Sequence, residues 1–159
     1  MNFDINKFEN QINVFYKKMK KHESISNIST VKEEWTLKDM VGHLIDSASN
    51  NHQRFIRLQL KEKLIFPGYD TEKWKTASCL KDMDYMFLVE FWKYYNIFLL
   101  HIIKNIDANK LNNYWKFNNS QKTLEFLVND YFVHMQWHEN LFDDTIKEIK
   151  KEQKAKISE

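Results

Sequence analysis

The sequence predicts an all-α fold, a four-helix bundle, and three observations carry that prediction. Only two glycines and one proline occur in 159 residues, too few to punctuate a turn-rich β architecture. Apolar residues recur with the 3.6-residue period of amphipathic helices in four long segments. The long break among them, Lys61 to Ala77, holds the chain's single proline, Pro67, followed by Gly68.

The first helix is marked by Ile5, Phe8, Ile12, Phe15 and Met19, with Asp4 as its cap. A polar connection through Ser24, Ser26, Asn27 and Ser29 follows. The second helix starts at Thr36, whose hydroxyl can cap it, while Asp39 three residues on gives a variant of the capping box. It continues through Leu37, Met40, Val41, Leu44, Phe55 and Leu58 to about Leu60. The third helix runs from near Leu80 to Ile106, with Phe87, Phe91, Tyr94, Phe98 and Ile102 as its expected inner side. Ser78 is its expected cap, and Asp82 and Asp84 suit the positive end of its dipole. The fourth runs from about Gln121 to Lys150 or beyond. The Lys61–Ala77 connection is too long for a tight hairpin. It is read as a crossover at the bundle's end that lets the second and third helices run parallel. One domain over residues 1–159 is expected.

Apolar residues make up 43% of the chain and aromatics 15%, enough bulky material for a sizeable core. Trp74, Trp92, Trp115 and Trp137 are assigned to that core. Charged residues reach 29%, yet the formal net charge is only +2, which argues against the clustered basic face of a nucleic-acid binder. The lysines between Lys147 and Lys154 are offset by Glu148 and Glu152 and read as a solvated helix end. Cys79 is the only cysteine, so no intrachain disulfide is possible and a reducing cytoplasm is the expected setting. Met1 to Lys20 lacks a signal-peptide core, and no apolar stretch is expected to span a membrane.

Chemistry concentrates in Tyr131-Phe-Val-His-Met-Gln-Trp-His138. Residues four apart on a helix lie one above the other, so His134 and His138 point the same way. Leu124, Leu127, Val128, Tyr131, Met135 and Phe142 share their stripe, so both imidazoles face a core. Buried imidazoles need partners, and one metal ion can satisfy two at once. A third ligand is expected, and His43 is the best candidate. On the second helix His43, Ser47, Asn50 and Arg54 form a polar strip beside the apolar stripe, with Asp46 at its edge. Three neutral nitrogens would leave a position open for an exogenous donor, the ligand count of a reactive site. Three satisfied core histidines are the rival reading, and spacing alone leaves both open. His22 is placed in solvent, His52 away from the strip, and His101 in the last turns of its helix, where the dipole favours an imidazolium.

These residues also resemble a known family. Glu34-Trp35-Thr36 through Gly42-His43-Leu44-Ile45-Asp46-Ser47, then Asn50 and Arg54-Phe55, resembles the second-helix motif of the DinB-like superfamily. The likeness is nearest to the YfiT-like branch, described as metal-dependent hydrolases and including bacillithiol S-transferases. Pro67, Tyr69, Asp70, Glu72, Lys73 and Trp74 are similar to that branch's crossover, and His134 and His138 match its last-helix His-x-x-x-His. The resemblance covers roughly Phe3 to Ile146, although the third helix carries no diagnostic motif. It implies a DinB-like four-helix bundle with a long crossover, often a homodimer, binding one divalent ion, zinc or nickel, through His43, His134 and His138. Gly42 and Trp137 stand where YfiT-like chains often carry extra histidines, so contacts on those sides are expected to differ.

Two enzymatic readings and one non-enzymatic reading follow. A divalent ion on three imidazoles supplies Lewis acidity, making water or a thiol nucleophilic near neutral pH. Hydrolysis of an ester or amide, or S-transfer from a low-molecular-weight thiol to an electrophile, would use the same site. Asp46 is placed to orient His43 or to accept a proton. Asn50 and Arg54 are assigned to an anionic small-molecule substrate, although Arg54 could equally pair with Asp70 or Glu90. Glu139 is assigned to solvent. The third reading is a stress-linked bundle that binds metal or ligand without turnover.

Overall fold

The computed structural model describes residues 3–157. Helix α1 spans Ile5–Lys21, and the Asp4 carboxylate accepts from Lys7 N at its start. Helix α2 spans Leu37–Leu60 under a complete capping box, with Thr36 and Asp39 each accepting from the other's backbone N–H. Two of the free N–H groups at a helix start are thereby accounted for at little cost. A short helix α3 follows at Thr71–Ala77, then α4 at Tyr85–Lys104 and α5 at Leu124–Ile157.

Side-chain contacts fix the helix directions. Lys38 reaches the carbonyl of Lys81 and His52 reaches Tyr95, both at a sequence separation of 43. A constant separation means that α2 and α4 run parallel, as the crossover length predicts. Helix α1 opposes α4, since Tyr85 donates to the Met19 carbonyl at one end and Tyr16 donates to Glu90 further along. It runs with α5, since Phe8 stacks on Phe132 and Phe15 meets Phe142 edge-on. The core between the four long helices holds Phe15, Met19, Met40, Phe55, Trp92, Leu99 and Phe142 at 0% exposure.

Several expectations are corrected. Helix α4 starts at Tyr85 with Asp84 as its cap, not near Leu80. Cys79 takes a left-handed φ of 49° and Leu80–Asp82 forms a single 3₁₀ turn, so Ser78 closes α3 instead of opening α4. The expected inner aromatic side of α4 is mostly its outer face. Phe87, Phe91, Tyr94 and Phe98 are exposed, while Leu88, Val89, Trp92, Leu99 and Ile103 are buried, with Ile102 at the border. Both faces of α4 are apolar, so its periodicity carried no contrast by which to choose between them. By length and composition alone α4 could also cross a membrane, contrary to expectation, although its inner face is packed into the bundle. Trp92 and Trp115 are in the core as expected, but Trp74 and Trp137 are exposed.

The chain also contains three short strands that composition argued against. Strand β1 (Lys63–Ile65) pairs in parallel with β2 (Tyr114–Phe117), which pairs antiparallel with β3 (Ser120–Thr123). Asn118 supplies the positive φ of the tight turn, 52°, which asparagine tolerates better than most residues. Gln121 therefore belongs to β3, and α5 begins at Leu124, whose N–H donates to the Asn113 carbonyl.

Glu139 is not in solvent. It is 6% exposed and pairs with Lys18 at 2.7 Å, while Asp143 takes the same ammonium at 2.6 Å. This network ties α1 to α5. Glu139→Ala would strip a largely buried ion pair of one partner and is expected to destabilise the fold by about 1–3 kcal/mol. Urea denaturation checks this.

Candidate metal centre

Helix α2 carries His43 to the wall of α5, where His134 and His138 lie one turn apart. The imidazole centroids are 5.4 Å (His43–His134), 4.6 Å (His43–His138) and 4.5 Å (His134–His138) from one another. Nε2 of His138 lies 3.1 Å from Nε2 of His134. Two nitrogens on one tetrahedral zinc, each about 2.0–2.1 Å from it, would be about 3.3–3.4 Å apart. One candidate donor atom from each of the three rings falls within 4.8 Å of the other two.

Burial sets the protonation of this trio. His138 is 3% exposed, and desolvation, then the charges of His134 and His43, pull its pKa down to about 3. Desolvation and then His134 bring His43 down to about 4, against a smaller upward pull from Glu72. His134 is lowered as well, again chiefly by desolvation. Three neutral imidazoles therefore face one another at physiological pH, each with a lone pair to donate. Nδ1 of His43 and Nδ1 of His138 are buried with no hydrogen-bond partner, a costly state for a core histidine whose only role is packing. The residues present fit a divalent cation.

Aromatic rings close the remaining sides. Trp35 meets His43 edge-on at 5.4 Å, and Tyr69 lies 6.3 Å from it. Trp35 is held by its Nε1–H, which donates to Glu72 on α3 at 2.8 Å. Trp137 packs edge-on against His138 at 4.7 Å. On the other flank a Cβ at Gly42 would collide with the Leu80 side chain, so protein fills the space that an extra histidine would occupy.

Asp46 is 9% exposed, not a surface carboxylate, and burial raises its pKa to about 6. It does not orient His43, whose Nδ1 has no partner. Its charge is felt by Tyr69, whose pKa rises to about 12 through desolvation and then Asp46. Arg54 pairs with neither Asp70 nor Glu90. Asp70 caps α3 and pairs with Lys73, and Glu90 accepts from Tyr16 and pairs with Lys20. Arg54 instead donates to Asn51 Oδ1 at 3.3 Å and lies over the Trp115 ring at 4.0 Å. Asn50 donates to the Asp46 carbonyl within its own helix.

Next to the trio is a cavity of about 220 Å³ lined by His134, Ser47, Arg54, Tyr69 and Trp115 among others. Asn51, rather than Asn50, shares this wall. Rows 43-47-50-54 and 43-47-51-54 are both acceptable helical strips, and sequence could not choose between them. Trp115 comes from β2, the element that was missed. The other histidines lie elsewhere. His52 packs on Tyr95 and Phe98, His101 is exposed, and Nδ1 of His22 bonds the Lys18 carbonyl.

The chain superposes on YfiT from Bacillus subtilis with a TM-score of 0.78, covering 91% of this chain and 87% of that one at 17% identity. The fold is shared with YfiT. That protein is described as a probable metal-dependent hydrolase with an unusual four-helix bundle topology. No family model and no curated protein sequence matches the chain.

Proposed function

We propose that the chain is a DinB-like metal-dependent hydrolase of a small molecule, with His43, His134 and His138 holding one divalent ion, zinc or nickel. The convergence of three neutral imidazoles from two helices, beside a cavity, carries this reading. When bound, the ion would supply Lewis acidity toward a carbonyl group and toward water. Asp46 is the proton acceptor, since a carboxyl with a pKa of about 6 is ionised near neutrality yet basic enough to take a proton. Tyr69, hydrogen-bonded to Ser47, forms a neutral wall between metal site and cavity. Arg54 holds the far end of the substrate, with Asn51 in the position expected for Asn50. The exposed aromatic row of α4 offers a surface for a second copy, in keeping with a homodimer.

The reading is tested with zinc- or nickel-loaded protein and 4-nitrophenyl acetate. Asp46→Asn is expected to retain its ion and lose about 10²–10⁴-fold in turnover. The same protein given monochlorobimane and a small thiol tests S-transfer, which the trio could equally support. Turnover no greater than that of His134→Ala in both assays would point to a binding module without catalysis.

A further inference from the structure

We infer that the cavity beside the three histidines is a carboxylate-binding subsite, with Arg54 receiving a monoanionic carboxyl group at the substrate's far end. The position of the reacting group rests on the hydrolase reading; the anion site does not.

A buried arginine ordinarily has a carboxylate partner, and Arg54 has none among the described residues. It is 7% exposed, its one hydrogen bond is to the neutral amide of Asn51, and its Nε is buried without a partner. The guanidinium nevertheless lines an open cavity, so the interior supplies a cation and leaves its counter-charge to be brought from outside. Trp115 stacks on the guanidinium and is itself fixed by its Nε1–H, which donates to the Phe66 carbonyl at 2.8 Å. The fork is thus held in one plane, the arrangement suited to a planar carboxylate.

Two further features narrow the ligand. Asp130 and Lys122 line the same cavity and offset one another, so Arg54 leaves the lining with one net positive charge, which a monoanion matches. Eleven residues separate His43 from Arg54 on α2, an axial rise of about 16 Å. Even with the reach of the arginine, the carboxyl group must sit several bonds from the atom that reacts at the histidines. The substrate class is therefore an extended monocarboxylic acid with its ester or amide toward the trio and its free carboxylate toward Arg54.

The test follows the Trp115 Nε1–H resonance, which survives substitution of Arg54, by ¹⁵N NMR in the metal-free full chain during titration with butyrate, butyramide and inorganic phosphate. Butyrate is expected to shift that resonance and to bind at least about tenfold more tightly than its amide, the worth of one charge-assisted contact. Arg54→Gln should abolish the preference, whereas His52→Ala, which removes a ring packed on Tyr95 and Phe98 away from the cavity, should keep it. The protein is metal-free throughout, so failure of the metal reading would leave this result intact. Equal binding of butyrate and butyramide, an undiminished preference in Arg54→Gln, or tighter binding of phosphate than of butyrate would each overturn the proposal. Arg54→Met controls for folding. Removing an unpaired interior charge while keeping the apolar stem should leave Tm at or above wild type, and a fall of more than about 5 °C would assign the guanidinium a structural role and overturn the subsite.

Discussion

His138→Ala is expected to reduce the divalent metal content of the purified, metal-replete chain from about one ion to none. Its affinity for zinc should fall by two to three orders of magnitude. The size follows from dividing the about 10–16 kcal/mol of a four-ligand structural zinc site among its ligands, about 2.5–4 kcal/mol each. His138 should be the most sensitive member of the trio. It is the most buried, its Nε2 is close to that of His134, and its Nδ1 has no alternative partner. Water has little room to replace it, whereas the half-buried His134 borders an open cavity. Elemental analysis and competition against a chromogenic chelator give stoichiometry and affinity. His52→Ala and His101→Ala serve as controls, since the former ring packs on Tyr95 and the latter is exposed. A His138→Ala chain that still holds close to one ion at unchanged affinity would leave the three rings as packing residues and remove the basis for a metal-dependent reaction.

The site could be read so far in advance because its parts obey helical spacing. His134 and His138 share a face by arithmetic, and the capping box at Thr36 fixes where α2 begins, and so which way His43 points. The long crossover correctly implied parallel neighbours. What sequence missed was set by tertiary context. Phe87, Phe91, Tyr94 and Phe98 make as good a stripe as the residues that are buried, and only the packing partners of α4 decide between them. Glu139 looked solvent-facing until Lys18, 121 positions away in sequence, supplied a partner. The strands are three or four residues long, below the length at which alternation is informative. Their one local signal was the Asn118-Asn119 pair between the aromatic run Tyr114–Phe117 and the polar run Ser120–Thr123. Without β2, Trp115 could be assigned to the core but not placed over Arg54, so the unpaired state of Arg54 could not be anticipated.

Acidification should expose the same burial thermodynamically. His43 and His138 sit at about 4 and about 3 in the folded chain, against about 6.5 when unfolded. Below pH 6.5 the unfolded chain takes up protons that the folded chain refuses. Stability present above that pH is therefore lost as pH falls toward 4 and 3. Asp46 acts with the opposite sign. Its pKa, raised to about 6, lets the folded chain bind a proton first, so it returns stability as pH falls from 6 toward its unfolded value near 3.8. At pH 5 the two histidines together remove about 4 kcal/mol and Asp46 restores about 1 kcal/mol, before solvent screening reduces both. A net loss of about 2–3 kcal/mol between pH 7 and pH 5 is expected for metal-free protein in urea denaturation. The His43→Gln, His138→Gln double variant should lose markedly less, its remaining change being the loss from His134, also lowered by burial, set against the gain from Asp46. Equal stability of the wild type at both pH values would mean that the imidazoles are not held proton-free by burial. Because they are proton-free, a cation entering between pH 8 and pH 6 displaces almost no protons from them. Its affinity should be nearly flat across that range, unlike a site of solvent-exposed histidines, where protons compete as pH drops below 7.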